Sequence, residues 1–307
     1  MGQFQNGDLM FKGIYTVLYA LFDRDERIDD KAMKRQIDFC IEVGCQGITI
    51  LGLATEVQKL TFTERAKLVE LTAKHTNGRV PLSVTIPGNA VAEQVELIRI
   101  AEDQNASWII LQPPLAGSYG ADIYLEFFER VASQTNLPFA VQNAPAFLGR
   151  ALSATDIATL RRRCSNFAAV KSEDSVLGVS SVIKAAGSDL AVLGGRGGLE
   201  MMDLMEIGCN GFVYAPDIAP AAIKIFEAWE AGNKELANKL YSEALPAIVF
   251  SMQSLEHLVT YGKRVLGQAM GIEIFDRAPC LKPTEAGMKI TANYAKSLIN
   301  FKKEHDL

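Results

Sequence analysis

Apolar and polar positions along this chain follow two periods, and the two take turns. Short, nearly continuous apolar runs, as expected of strands buried on both faces, fall at residues 13–20, 47–51, 80–85, 108–111, 138–142, 167–171, 190–193 and 211–214. Between them lie segments with apolar residues near helical spacing, such as Met33, Ile37, Phe39, Cys40 and Val43. Asp29 is placed to cap that helix and Gly44 to end it. Thr61 or Thr63 caps the next, which runs to about Thr76, and Glu64 completes a capping-box pattern with Thr61. Further helices are expected over about 89–104, 122–134 and 153–163, after the 167–171 run as far as about 186, and over 199–207 and 219–231.

Strict alternation of strand and helix forces parallel strands with helical crossovers. Eight such units predict a closed (β/α)8 barrel over residues 1–232. A doubly wound open sheet would carry a phosphate-binding G-x-G-x-x-G after its first strand, and none is present there. Residues 233–307 have no strand-like run and read as a C-terminal extension of three helices, punctuated by Gly262, Gly267 and Gly271 and by Pro279 and Pro283.

Composition narrows the class without changing this picture. The chain has 307 residues, 49% hydrophobic and 22% charged, enough for one large barrel with a full core. A net charge of −5 with no block of like charge argues against a nucleic-acid or anionic-membrane partner. Residues 1–11 lack a basic start followed by an apolar core, and no segment is apolar for long enough to span a bilayer, so a cytoplasmic protein is expected. The five cysteines, Cys40, Cys45, Cys164, Cys209 and Cys280, contain no C-x-x-C pair and read as buried free thiols.

Candidate chemistry centres on Lys171. The run Phe167-Ala168-Ala169-Val170 ends on it, ahead of Ser172, Glu173 and Asp174. In a barrel this strand end is the rim that carries the active site. Apolar walls disfavour an ammonium charge, and a free amine attacks a ketone to form a Schiff base. The plain alternative is a lysine that opens a solvated loop. Gln142, at another strand end, is a neutral amide that needs a partner inside a barrel mouth. Arg196 lies among Gly194, Gly195, Gly197 and Gly198, a loop in which barrels often bind anions and glycines let backbone approach a ligand. Gly194, Gly195 and Arg196, with Val213 of the eighth strand, are the expected substrate contacts here. No His, Cys and carboxylate cluster has metal-ligand spacing, so neither metal nor cofactor is expected.

Four features together resemble one family: the lysine ending the sixth strand, Gly52-Leu53-Ala54-Thr55-Glu56 after the second, Asn143-Ala144-Pro145 after the fifth, and the helical tail. The chain is similar over nearly its whole length to the dihydrodipicolinate synthase / N-acetylneuraminate lyase family of Schiff-base lyases. The resemblance implies a short 2-oxo acid substrate whose carboxylate is held by the backbone N–H groups of Ala54 and Thr55. It also implies a homo-oligomer, tetramer or dimer. The synthase subgroup has two threonines where this chain has Leu53 and Ala54. It has tyrosines where this chain has Gln142 and Pro114-Leu115, and an arginine where it has Phe147. With that hydroxyl relay gone, the pattern points away from dihydrodipicolinate synthesis and ordinary sialic-acid cleavage. It looks closer to the subgroup dehydrating 2-keto-3-deoxy sugar acids, including those acting on L-2-keto-3-deoxyarabonate, through Gln142 and the Lys171-Ser172-Glu173 motif. Asn143 departs from the aspartate expected in that subgroup.

A protonated imine at C2 of such an acid is an electron sink. A base can remove a C3 proton to give an enamine that expels the C4 hydroxyl, or deprotonation of that hydroxyl can cleave the C3–C4 bond. The candidate bases are Glu56, Glu173 and a water held by Gln142. Glu173 lies two residues past Lys171, on the same face if the strand continues; a carboxylate favoured by a helix N-terminus is its simpler reading. The alternatives are an aldolase, a hydroxyproline-pathway deaminase on the same barrel, and a barrel that only binds a metabolite.

Overall fold

The structure is a computed structural model that describes residues 10–305; residues 1–9 and 306–307, and with them most of the stretch considered for a leader, lie outside the described residues. Strands β1 (Gly13–Val17), β2 (Gly47–Ile50), β3 (Leu82–Ile86), β4 (Trp108–Leu111), β5 (Phe139–Asn143), β6 (Phe167–Ser172), β7 (Ala191–Gly194) and β8 (Gly211–Tyr214) follow one another around a closed barrel. Helices α1 (Asp30–Glu42), α2 (Phe62–Thr76), α3 (Val91–Asp103), α4 (Ala121–Ala132), α5 (Ala154–Arg163), α6 (Val176–Ala186), α7 (Met201–Glu206) and α8 (Ala219–Glu230) alternate with them. This is the (β/α)8 barrel that the alternation predicted. Every residue of β3, β4, β5 and β8 is buried, as strands with side chains inside and a helix layer outside must be.

Local chemistry sets the helix starts. The Asp29 side chain accepts the Ala32 N–H, and Thr61, not Thr63, caps α2 in a reciprocal box with Glu64. Ser153 and Asp156 make the same box on α5. After Asn233 the chain forms α9 (Lys234–Ser251), a short turn Leu255–His257, a π-helical segment Leu258–Gly262, α10 (Lys263–Met270) and α11 (Glu285–Glu304). Four short elements are absent from the sequence pattern: the π segment, the 3-10 turns Leu53–Thr55 and Val57–Lys59, and a helical turn Pro145–Leu148. Cys40, Cys45, Cys164 and Cys209 are buried free thiols, whereas Cys280 is exposed. No helix among the described residues is long and apolar enough to cross a membrane.

Contacts group the chain into two compact units. One holds the segment ending at Gly13 with residues 82–196 and 200–213; the other holds 14–81, 197–199 and 214–307. In the first, β3 through β7 pair in parallel, and a shift in register between Phe139 and Ala140 sets Gln142 opposite Lys171 and Asn143 opposite Ser172. In the second, β1 pairs with β2, with Thr16 opposite Ile48.

Removing the α2 cap tests the reciprocal box. Thr61→Ala is expected to cost about 1 kcal/mol in urea unfolding, and Thr63→Ala no more than about 0.5 kcal/mol.

Candidate active site

In the unit of β3–β7, β5 and β6 place Gln142 and Lys171 side by side, so their side chains share a face while Asn143 and Ser172 share the other. The ladder continues one step beyond β6, because the Glu173 N–H donates to the Asn143 carbonyl at 2.8 Å. That extension returns the Glu173 side chain to the face of Lys171. Lys171 Nζ donates to Glu173 Oε2 at 2.8 Å, and Gln142 Nε2 donates to the same oxygen at 2.6 Å. Side-chain exposure is 6% for Lys171 and 7% for Glu173. A buried charge persists only where paired and hydrogen-bonded, and both are met here. Lys171 therefore does not open a solvated loop. Glu173 stands ahead of α6, whose cap is Ser175, so its carboxylate serves the lysine and not the helix.

The rest of this unit frames the pair. A Cβ on Gly195 would collide with the Glu173 side chain, so only glycine leaves that carboxylate its place. Gly194 is likewise tight against Phe212, and Val213 is buried within β8. Arg196, at φ 55°, pairs with Glu200 at 3.0 Å. Asn143 accepts the Leu152 N–H at 2.8 Å and donates to the Leu152 carbonyl at 3.1 Å. An aspartate could not make the second bond, which accounts for the amide at this position.

In the other unit, Gly52 leads into the turn Leu53–Thr55, and Glu56 follows in the left-handed region at φ 57°. The Thr55 N–H donates to Gly52 O at 3.0 Å and its hydroxyl to Leu18 O at 2.6 Å. The Thr55 N–H, expected to meet a carboxylate, and its hydroxyl both have acceptors within the protein. Ala54 lies in the opening turn of the 3-10 helix, where N–H groups have no intrahelical acceptor. Glu56 accepts from Lys59 on one oxygen and from Lys263 on the other. Lys263 is buried below Phe22, whose ring centroid is 5.4 Å away; burial pushes its pKa down while Glu56 draws it back up. Nearby in this network, Tyr19 donates its hydroxyl to Asp217 at 2.8 Å. Burial holds the Asp217 carboxyl above its usual range and, with Asp217, holds the Tyr19 phenol well above its own. Among the described residues no group of three or more His, Cys, Asp or Glu side chains has the arrangement to hold a metal.

Four residues central to these networks escaped the sequence reading: Gln112, Tyr19, Asp217 and Lys263. Gln112 carried a usable signal, a polar residue directly after the apolar run of β4, as Lys171 ends that of β6. The other three carried none, since Tyr19 and Asp217 meet across 198 residues and Glu56 and Lys263 across 207.

A parallel eight-stranded barrel with a buried lysine and carboxylate ending its sixth strand has the architecture of a barrel lyase. The sequence profile described as "Dihydrodipicolinate synthetase family" matches residues 10–293, and the chain belongs to that family of lyases. It is 25% identical over 241 residues to a 4-hydroxy-tetrahydrodipicolinate synthase of Nitratidesulfovibrio vulgaris strain DP4, covering 78% of this chain and 82% of the relative. It is 24% identical over 286 residues to a probable 2-dehydro-3-deoxy-D-pentonate aldolase of Escherichia coli K12, covering 90% and 93%. The structure of a sialic acid aldolase from Ruminococcus gnavus superposes with a TM-score of 0.88 at 20% identity, covering 96% of this chain and 99% of the other.

The raised Asp217 carboxyl makes stability depend on pH with a definite sign. A carboxyl that titrates higher in the folded than in the unfolded chain contributes fully below the unfolded value, and its contribution is lost as pH rises through the folded value. Asp217→Asn keeps the acceptor for Tyr19 and cannot ionise. Its melting temperature should rise relative to wild type as pH climbs from the ordinary carboxylate range to neutrality, measured by calorimetry across that range.

Proposed function

We propose that this chain dehydrates a 2-keto-3-deoxy sugar acid through an imine on Lys171, with Glu173 as the base. The supporting observation is the 2.8 Å contact between Lys171 Nζ and Glu173 Oε2, because that nitrogen becomes the imine nitrogen. Glu173 takes a proton from the Lys171 ammonium, the freed amine attacks the C2 carbonyl, and the proton returns from Glu173 as the carbinolamine hydroxyl leaves as water, giving a protonated imine. Glu173 removes a C3 proton, and the electron pair forms the enamine. The enamine expels the C4 hydroxyl, which takes the proton back from Glu173 and departs as water. Hydrolysis of the resulting conjugated imine releases the unsaturated 2-oxo acid and restores the lysine.

Position favours this outcome over carbon–carbon cleavage. A base beside the imine nitrogen is beside C2 and C3, whereas cleavage needs one at the C4 hydroxyl. Gln142 stands at the synthase tyrosine position, and a neutral amide neither takes nor gives a proton there. In this reading Glu56, held by two ammonium groups, anchors its turn. The Ala54 N–H is the carboxylate donor, a role supported by the family pattern and by its place in the opening turn. Gly194, Gly195 and Val213 bound the substrate, and Arg196 shapes its loop through Glu200. Aldol cleavage is the second reading, favoured by the E. coli relative's name. A cytoplasmic homo-oligomer, tetramer or dimer, completes the proposal; the exposure of Leu177 and Tyr119, 79% and 55%, supports association.

Incubation with pyruvate and borohydride, followed by intact mass, should give an adduct on wild type and none on Lys171→Ala. Turnover of five-carbon 2-keto-3-deoxy acids should then yield a product retaining all five carbons, with kcat lowered about 10²–10⁴-fold in Glu173→Gln. Release of pyruvate and a two-carbon aldehyde would replace dehydration by cleavage, and absence of both adduct and turnover would remove the imine. Light scattering should report two or four chains per particle.

A further inference from the structure

The Glu173 carboxylate rests on a chain of amides that runs deeper into its unit. Gln142 Nε2 donates to Glu173 Oε2 at 2.6 Å, and Gln112 Nε2 donates to Gln142 Oε1 at 2.8 Å. The backbone carbonyl of Gln112 is held by Gln94 Nε2 at 2.9 Å, and the same nitrogen donates to Gly88 O at 3.1 Å. Gln94, Gln112 and Gln142 are 0%, 1% and 2% exposed, so no water competes for these bonds.

The sense of this chain is fixed by chemistry. An ionised carboxylate only accepts, so the group facing Glu173 must be the NH2 of Gln142, and the Gln142 oxygen then faces Gln112. Whatever stands at position 112 must therefore donate. A glutamine does so; a side chain that only accepts would turn the Gln142 amide over and set its oxygen against the Glu173 oxygen. The consequence is specific to a Schiff-base cycle. Lys171 changes from amine to imine and back, so its hydrogen bond to Glu173 changes at each step. The Gln142 donation is the support that stays constant.

We infer that Gln112 is a positioning residue that fixes the Gln142 amide with its NH2 toward Glu173, and thereby favours the ionised carboxylate at the steps where Glu173 acts as base. This rests on the reading of Glu173 as base. It also gives the missing tyrosine relay a replacement of a different kind: a one-way amide chain that orients a donor and conducts no proton.

Two variants separate this role from space filling. Gln112→Met removes the donor at similar volume, and Gln112→Glu reverses the hydrogen bond. Each is examined by pyruvate–borohydride trapping, which reports an intact Lys171, and by the pH dependence of kcat on the sugar acid that wild type turns over. The acid limb should move to higher pH in Gln112→Met and further in Gln112→Glu. A displacement of one pH unit would appear as a roughly tenfold loss of kcat on the acid limb. Wild-type acid limbs in both variants would overturn the inference while leaving the dehydratase reading intact. Wild-type kcat in Glu173→Gln would instead overturn that reading. Should neither Gln112 variant fold, neutron diffraction on the wild-type protein decides the matter, since deuterium on Gln112 Nε2 facing Gln142 Oε1 supports the assignment and the opposite sense overturns it.

Discussion

A carboxylate cannot be buried alone, and the arrangement around β5 and β6 follows from that constraint at Glu173. One of its oxygens takes an ammonium and an amide donor, from Lys171 and Gln142. The ammonium comes from the same strand two residues earlier, and the amide from the neighbouring strand at the paired register. Neither donor would be in place without the register shift between Phe139 and Ala140 or the extra ladder bond from Glu173 to Asn143. Gly195 is glycine because the carboxylate occupies the space a side chain would need. Sheet geometry and site chemistry are thus one requirement met at one strand end.

Glu56 presents a different solution. It is held by two ammonium groups, so its charge is compensated twice, and it follows a tight turn in a left-handed conformation. A carboxylate held by two ammonium groups is a good anchor for its turn. Glu173 has one cation and one neutral donor, both on the same oxygen. Two acidic residues that look alike as letters are set apart by their neighbours.

The fold was legible because the eight apolar runs are nearly continuous and three of the helices between them carry side-chain caps at Asp29, Thr61 and Ser153. Lys171, Gln142 and Glu173 were legible as a group because strand ends and the two-residue alternation of β structure project directly into geometry. Nothing in Gly52-Leu-Ala-Thr-Glu56 announces the 3-10 turn that closes the Thr55 N–H on Gly52. The π segment Leu258–Gly262 has no local pattern of its own; it forms where Gly262, lacking a side chain, comes up against the Tyr19 hydroxyl and Asp217. The signal at Gln112, a polar residue directly after β4, does not name its partner Gln142, 30 residues on.

The unit built from residues 14–81 and 214–307 joins the early and late parts of the chain. Glu56 and Lys263 are separated by 207 residues, so at about 5–20 residues per second a ribosome delivers the lysine roughly 10 to 40 seconds after the carboxylate. Through that interval Glu56 has only Lys59, Tyr19 awaits Asp217, and β1 and β2 cannot complete their surroundings. Residues 82–196, by contrast, bring the Lys171 site together from one continuous stretch. The newborn chain therefore holds the parts of its Lys171 cluster before residues 14–81 meet their late partners, and its window of exposure to aggregation and proteolysis lies in that early stretch.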